Sequence, residues 1–158
     1  IAQDHHHAIV LLVDHRLFAS AFSLLRSAFD AYVRGLWLAH CATDEQIGKY
    51  LKDGSPPKID TLLAAVEKMP GFSEQVLSRV KAKNWGAMCA YTHSGGLHLQ
   101  RWNTSDGIEP NYSLEEVLDV LTFAEFIGVM SVLGIAELAT DEELALRLLN
   151  KVKERAGK

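Results

Sequence analysis

A chain of 158 residues, 48% of them hydrophobic, is long enough for one domain with a substantial core and too short for two comfortable ones. We therefore predict a single domain over residues 1–158. The formal net charge of −4 excludes the broad basic field of a protein that binds nucleic acid along much of its surface, so DNA binding is not expected, although a local phosphate site is still allowed.

The first helix is predicted over residues 4–16, where Asp4 can cap the start and apolar residues recur at helical spacing, at Ile9, Leu12 and Val13. The three histidines at 5–7 are either natural or part of an expression tag. One helix from Asp4 to His40 would be about 55 Å long, which is too long for this domain. We therefore predict a break near residues 15–18.

Residues 18–42 are apolar almost all the way round, so this helix is predicted to be the central one. Its inner charges, Arg26, Asp30 and Arg34, recur every four residues and share one stripe. One positive charge is left without a partner, which is costly when partly buried. Either a carboxylate on another helix, such as Glu125, completes a closed network, or the stripe binds an anionic ligand or a phosphate.

Three helices are predicted in the middle of the chain. Thr43 opens a capping box for a short helix that stops at residues 53–54. A rigid turn at 55–57 precedes a second helix, which begins near Ile59 and ends before Pro70. Ser73 is predicted to cap the third and longer helix, which ends at the two glycines 95 and 96.

The rest of the chain is predicted to hold a long loop and two helices. The loop covers residues 97–112 and includes a short extended pair. Ser113 opens a capping box for an apolar helix in which Gly128 allows close helix contact, and Thr140 caps the last helix. The uncharged run at 126–136 is well short of the roughly 20 residues that cross a bilayer, so we predict a core helix and no membrane association.

Cysteine usage and the start of the chain indicate the compartment. The two cysteines, Cys41 and Cys89, do not form the dense framework of a small secreted domain. The start lacks the basic-then-apolar order of a signal peptide. A reducing cytoplasm with free thiols is therefore expected.

The side chains that can do chemistry concentrate at residues 84–102. His93 lies in the last turn of its helix, where the helix dipole favours a protonated ring, and that alone can explain it. Alternatively, His93 lines a pocket that faces the arginine stripe, together with Tyr91, His98 and Arg101. Histidine and arginine suffice for metal-free RNA cleavage, because imidazole can take the 2′-hydroxyl proton while guanidinium neutralises the phosphate.

Metal and nucleophile schemes are weaker. Cys89, His93 and His98 could join residues 40–41 in a zinc set, but no C-x-x-C or H-E-x-x-H spacing is present. No G-x-S-x-G elbow and no phosphate-binding glycine loop occurs. We therefore predict neither a metal nor a cofactor.

The segments SAFSLLRSAFDAYVRGLWLAHCA and YTHSGG resemble a family of bacterial all-helical proteins of unknown function over roughly residues 9–139. More distantly, they resemble the HEPN helical bundles. That resemblance implies a homodimer and, as in many HEPN proteins, ribonuclease activity in toxin–antitoxin or phage-defence systems. The HEPN pattern places histidine four to six residues after arginine, which Arg34 and His40 fit, although Gly35 stands where a polar residue is usual.

The sequence thus predicts an all-α, HEPN-like bundle of about six or seven helices with a polar pocket between the central helix and the His93 turn. The hypothesis is metal-free RNA cleavage by Arg34 with His93 or His40. Substrate-binding residues are then Arg26, Asp30, Tyr91, His98 and Arg101. The alternatives are a non-catalytic protein-interaction module with a closed Arg-Asp-Arg network, and a site for a small anionic ligand.

Overall fold

The computed structural model describes residues 1–54 and 57–156. Over these residues the chain forms eight helices: α1 (Ala2–Asp14), α2 (Phe18–His40), α3 (Asp44–Asp53), α4 (Ile59–Val66), α5 (Val76–Thr92), α6 (Gly96–Gln100), α7 (Leu114–Leu138) and α8 (Glu142–Ala156). The all-α prediction is confirmed. The predicted count of six or seven is wrong, because the five-residue α6 forms where a loop was expected. The first two residues of the predicted turn at 55–57 lie outside the described residues.

The central position of α2 is confirmed, since it packs against α1, α4, α5 and α7. Its side chains Phe22, Phe29 and Val33 are fully buried. Each such side chain contributes about 1.5–3 kcal/mol when it leaves water, so a helix that is apolar on most sides is stable only when other helices surround it.

Two of the predicted helix caps are confirmed and three are wrong. Asp4 does not cap α1, because the helix begins at Ala2 with Ile1 at its cap position and no side-chain cap bond. Thr43 forms its capping box at the start of α3, as Ser113 does at the start of α7. At the start of α5, however, Gln75 in a left-handed conformation takes the cap position predicted for Ser73. At α8 the carboxylate of Asp141, rather than Thr140, accepts the backbone N–H of Leu144 at 2.9 Å. An aspartate caps as well as a threonine does, so the local pattern did not distinguish the two neighbours.

Loop 101–113 contains one isolated antiparallel bridge, between Asn103 and Ile108. This is the short extended pair predicted for the segment. The bridge lies between α6 and α7 in the chain.

Close contact between α1 and α7 depends on Gly128. A Cβ atom at this position would lie 2.9 Å from Cγ of His6, which is too close for an ordinary contact. The side-chain amide nitrogen of Gln3, Nε2, donates to the carbonyl oxygen of Gly128 and to the hydroxyl of Ser131, both at 2.6 Å. The predicted role of Gly128 in close helix contact is therefore confirmed.

α7 is long and apolar enough to cross a membrane by length and composition alone, which is weak evidence because core helices share both properties. It packs against α1, α2 and α8, and it buries Ala124 and Ile127 completely. Its C-terminal part is less covered, since Ile135 is 51% and Leu138 is 62% exposed. The core-helix prediction for residues 126–136 thus holds for only part of the run.

Substitution of Gly128 tests the α1–α7 contact. We expect Gly128→Ala to lower the free energy of unfolding by about 1–3 kcal/mol, because the added methyl group displaces the His6 ring. The matched control is Gly134→Ala on the same helix, where nothing lies within 4 Å and alanine is the better helix former. Urea unfolding measures both variants. Equal midpoints for the two would contradict the proposed contact.

The same contact predicts a pH dependence. Burial, together with the neighbouring His7, lowers the pKa of His6 from its ordinary 6.5, and Glu125 offsets this only in part. The folded state therefore binds fewer protons than the unfolded chain, so His6 costs no stability above pH 6.5 and lowers stability as the pH falls below it. We expect His6→Phe to lose stability less steeply than wild type between pH 7.5 and 5 in urea titrations. Parallel curves for the two proteins would refute this.

Candidate functional site

The stripe of charges on α2 divides into two separate sites. Nη2 of Arg34 lies 3.7 Å from Oδ2 of Asp30, and both side chains are about one quarter exposed, at 23% and 25%. Nη1 of Arg34 also donates to the carbonyl oxygen of Pro57 at 3.4 Å. Arg26, one turn before Asp30, forms no salt bridge in the part of the chain that the structure describes and is directed to α5 instead.

The prediction that Glu125 compensates the unpaired arginine of α2 is wrong. Glu125 pairs with Arg155 of α8, and not with the arginines of α2. The reason is that α7 presents Glu125 towards α8, whereas α2 contacts α7 through apolar side chains such as Phe29 and Phe123.

Arg26 and His93 meet where α5 ends against α2. Nη1 of Arg26 lies 2.8 Å from Nε2 of His93. The end of α5 is held there because the hydroxyl of Thr92 donates to the carbonyl oxygen of Ser23 at 3.2 Å. A guanidinium group can only donate, so in this hydrogen bond Nε2 of His93 accepts, in the tautomer that carries its proton on Nδ1.

Trp85 completes the cluster around Arg26. The guanidinium carbon of Arg26 lies 4.8 Å from the centre of the Trp85 ring, and Nζ of Lys81 lies at the same 4.8 Å. Lys81 also pairs with Asp60 of α4 at 2.8 Å. We call Arg26, Lys81, Trp85 and His93 the α2–α5 cluster. It brings two cations and a neutral histidine together against one carboxylate.

Tyr91, His98 and Arg101, predicted to bind substrate, lie together in a different place. Tyr91 and His98 are buried, and Nδ1–H of His98 donates to the carbonyl oxygen of Tyr91 at 3.0 Å. The His98 ring packs edge-to-face on Tyr91, with ring centres 5.4 Å apart. Nε of Arg101 donates to Oε1 of Glu116 at 2.7 Å. These contacts join α5, α6 and the start of α7.

A separate cavity of about 550 Å³ lies between α1, α2, α3 and α7. Its volume is within the range of small-molecule sites. Four side chains that can carry charge line it, namely His5, Asp30, Arg34 and His40, and Tyr50 adds a hydroxyl group. Most of the other lining residues are apolar. Arg34 and His40 thus share one cavity, although they project from different sides of α2.

This cavity is therefore not the pocket predicted between α2 and the His93 turn, although His93 does face Arg26 of the stripe as expected. The cavity lies beside His40, and neither Arg26 nor His93 lines it. The walls that the sequence analysis missed come from α1 and α7, through residues such as Gln3 and Ser131. No clear signal in the sequence marked them, because Gln3 and Ser131 are two among several polar residues on their helices.

One oxygen of Asp30 stands out in this site. Oδ2 faces Arg34, whereas Oδ1 is buried and has no hydrogen-bond donor in the described chain. A buried carboxylate oxygen is normally satisfied, so Oδ1 is available to a water molecule or to a ligand that donates.

Metal-ligating side chains do not cluster within residues 1–54 and 57–156, where no group of three or more His, Cys, Asp or Glu is placed to hold an ion. Cys41 and Cys89 are both free. Burial raises the pKa of the Cys41 thiol, which disfavours the thiolate that binds metals.

The fold and the site define an all-helical bundle whose central helix carries charged groups to an open, largely apolar cavity. Residues 1–155 match a family of unknown function, DUF6988, and the chain belongs to that family. This confirms the expected membership in an all-helical family without an assigned function. Comparison with curated proteins and with solved structures found no match.

Removal of Arg101 tests whether its ion pair is structural. Burial raises the pKa of Glu116, but bonds from Arg101 and Ser113 outweigh it, so the pKa stays below its ordinary 4.5. We expect Arg101→Ala to cost about 1–3 kcal/mol at pH 7, because it leaves a half-buried carboxylate without its main partner. In wild type this contribution should be present above pH 4.5 and disappear as the pH falls through the lowered pKa.

The control for Arg101 is Arg155→Ala, which removes an exposed pair with Glu125 and should cost at most about 1 kcal/mol. Thermal unfolding at pH 7 and pH 3 compares the two variants. If Arg101→Ala were as stable as wild type at pH 7, the Arg101–Glu116 pair would not contribute to stability.

Proposed function

We propose that this protein is a metal-independent ribonuclease of HEPN-like type, and that Arg34 and His40 act together in the cavity. The observation that carries the proposal is that Arg34, Asp30 and His40 all line one open cavity. The HEPN spacing of arginine and histidine supports the same two residues. The proposal includes a homodimer in a reducing cytoplasm and a role in a bacterial defence or toxin–antitoxin system, as that resemblance implies.

In the proposed reaction, the neutral imidazole of His40 takes the proton of an RNA 2′-hydroxyl. The 2′-oxygen attacks the adjacent phosphorus, the bond to the 5′-oxygen breaks, and the leaving oxygen takes a proton from water. The products are a 2′,3′-cyclic phosphate and a 5′-hydroxyl. Arg34 neutralises the charge that develops on the phosphate oxygens, and Asp30 orients its guanidinium group.

Two observations favour His40 over His93 as the base. Nε2 of His93 accepts from Arg26, so that nitrogen is already occupied. His40 is exposed at the end of α2 and lines the cavity that contains Arg34. His93, by contrast, does not line the cavity that contains Arg34.

A second candidate function is a non-catalytic protein-interaction module. It is favoured by the mostly apolar lining and by the exposed residues Ile1, Ile135 and Leu138 among those that form the cavity. Such a groove suits an apolar side chain of a partner protein. The Asp30–Arg34 pair would then be structural, and the Arg-Asp-Arg network of the sequence hypothesis would consist of that pair alone.

Cleavage of bulk cellular RNA in EDTA tests the proposal. We expect wild type to cleave and to leave 2′,3′-cyclic phosphate ends. Arg34→Ala and His40→Ala should each lose about 100-fold or more of the rate, the usual contribution of an acid–base group or an oxyanion contact. His93→Ala should lose far less of the rate than His40→Ala, because it removes no reacting group, and His15→Ala, at an exposed residue outside the cavity, is the matched control.

Circular dichroism establishes that each of these variants is folded. Absence of cleavage by wild type, or equal rates for all the variants, would reject the catalytic proposal and favour the interaction module. If His93→Ala lost activity and His40→Ala kept it, the general base would be His93 and not His40.

A further inference from the structure

Arg26 is held in place without being neutralised. In the described chain its guanidinium group makes one hydrogen bond, to the neutral ring of His93, and lies over Trp85. By contrast, the two other partly buried arginines, Arg34 and Arg101, each pair with a carboxylate. Neighbouring Lys81 has Asp60, but that single carboxylate does not balance two cations.

The contacts of Arg26 with His93 and Trp85 are better suited to binding an external anion than to stabilising the fold. Ordering an arginine side chain costs about 2 kcal/mol of rotamer entropy, and an internal carboxylate would repay this cost better than a neutral histidine does. The stacking on Trp85 orients the guanidinium plane, and most of its five N–H groups have no acceptor among the described residues. A preorganised guanidinium with free donors is the usual partner of a phosphate group.

We propose that the α2–α5 cluster binds a phosphate group of the RNA strand, with Arg26 as the main contact and Lys81 as the second cation. The assignment of RNA as the source of the phosphate rests on the proposed function, whereas the phosphate site itself rests on the geometry of the cluster. His93 keeps Arg26 extended across Trp85 when the site is empty, and it is a positioning residue rather than a base.

The distance along α2 agrees with a single strand that contacts both sites. Arg26 and Arg34 are eight residues apart, which is about 12 Å along the helix axis. A stacked strand rises about 3.4 Å per nucleotide. About three or four nucleotides therefore reach from the α2–α5 cluster to the cavity.

The binding experiment uses a labelled 12-nucleotide RNA in which every 2′-hydroxyl is methylated, so that it binds but cannot be cleaved. Fluorescence anisotropy gives the affinity over a range of salt concentrations. We expect Arg26→Gln, which keeps most of the stem over Trp85, to bind about tenfold more weakly. The slope of log affinity against log salt should fall by about 0.7, the value for one phosphate contact on a single strand.

The matched control is Arg79→Gln, an exposed residue of α5 outside the cluster, which should leave both affinity and slope near those of wild type. An Arg26→Gln protein with the affinity and salt slope of wild type would overturn the inference. If both arginine variants lost the same affinity, the effect would be general charge and the site would equally be rejected.

A second measurement separates this inference from the proposed function. Quenching of Trp85 fluorescence by inorganic phosphate, with Trp85→Phe to identify its signal, reports on the site without RNA. RNA binding that depends on Arg26, in a protein that cleaves nothing, would uphold the phosphate site and reject the ribonuclease. Phosphate binding without RNA binding would overturn the assignment to RNA, and binding of neither would overturn the whole inference.

Discussion

The burial of α2 on nearly all sides is the constraint on which the rest of the structure depends. A helix with so few polar positions must be covered by several neighbours, and α1, α4, α5 and α7 supply that cover. Any charge on such a helix lies at a gap between two neighbours, because nowhere else reaches water. The three inner charges of α2 therefore mark the places where neighbouring helices leave an opening, and both candidate sites occur there.

Charge compensation divides these openings into two kinds. Asp30 and Arg34 largely compensate each other, so their opening can accommodate a cavity with apolar walls. Arg26 has a neutral acceptor and an aromatic ring in place of a carboxylate, so its opening keeps a positive charge. Two sites with different electrostatic properties thus lie along one rigid helix, at a separation set by the helical rise.

α1 connects stability to the cavity. Its residues form one wall, and the same helix is fastened to α7 by Gln3 and by the contact of His6 with Gly128. The attachment is sensitive because Nδ1 of His6 is buried without a hydrogen-bond partner in the described chain. Because α1 forms this wall, we infer that protonation of the His6 ring loosens the wall as well as the fold. The shape of the cavity therefore depends on how tightly α1 stays docked.

The sequence by itself determined the all-α class, the central position of α2, most of the helix boundaries and the capping boxes at Thr43 and Ser113. These depend on apolar periodicity and on groups only three residues apart, which act before any tertiary contact forms. Only the tertiary structure decided that Arg26 meets His93 rather than Glu125, and that the cavity lies beside His40. Those pairings depend on how helices distant in the chain rotate and approach each other, and helical periodicity says which face is buried but not what covers it.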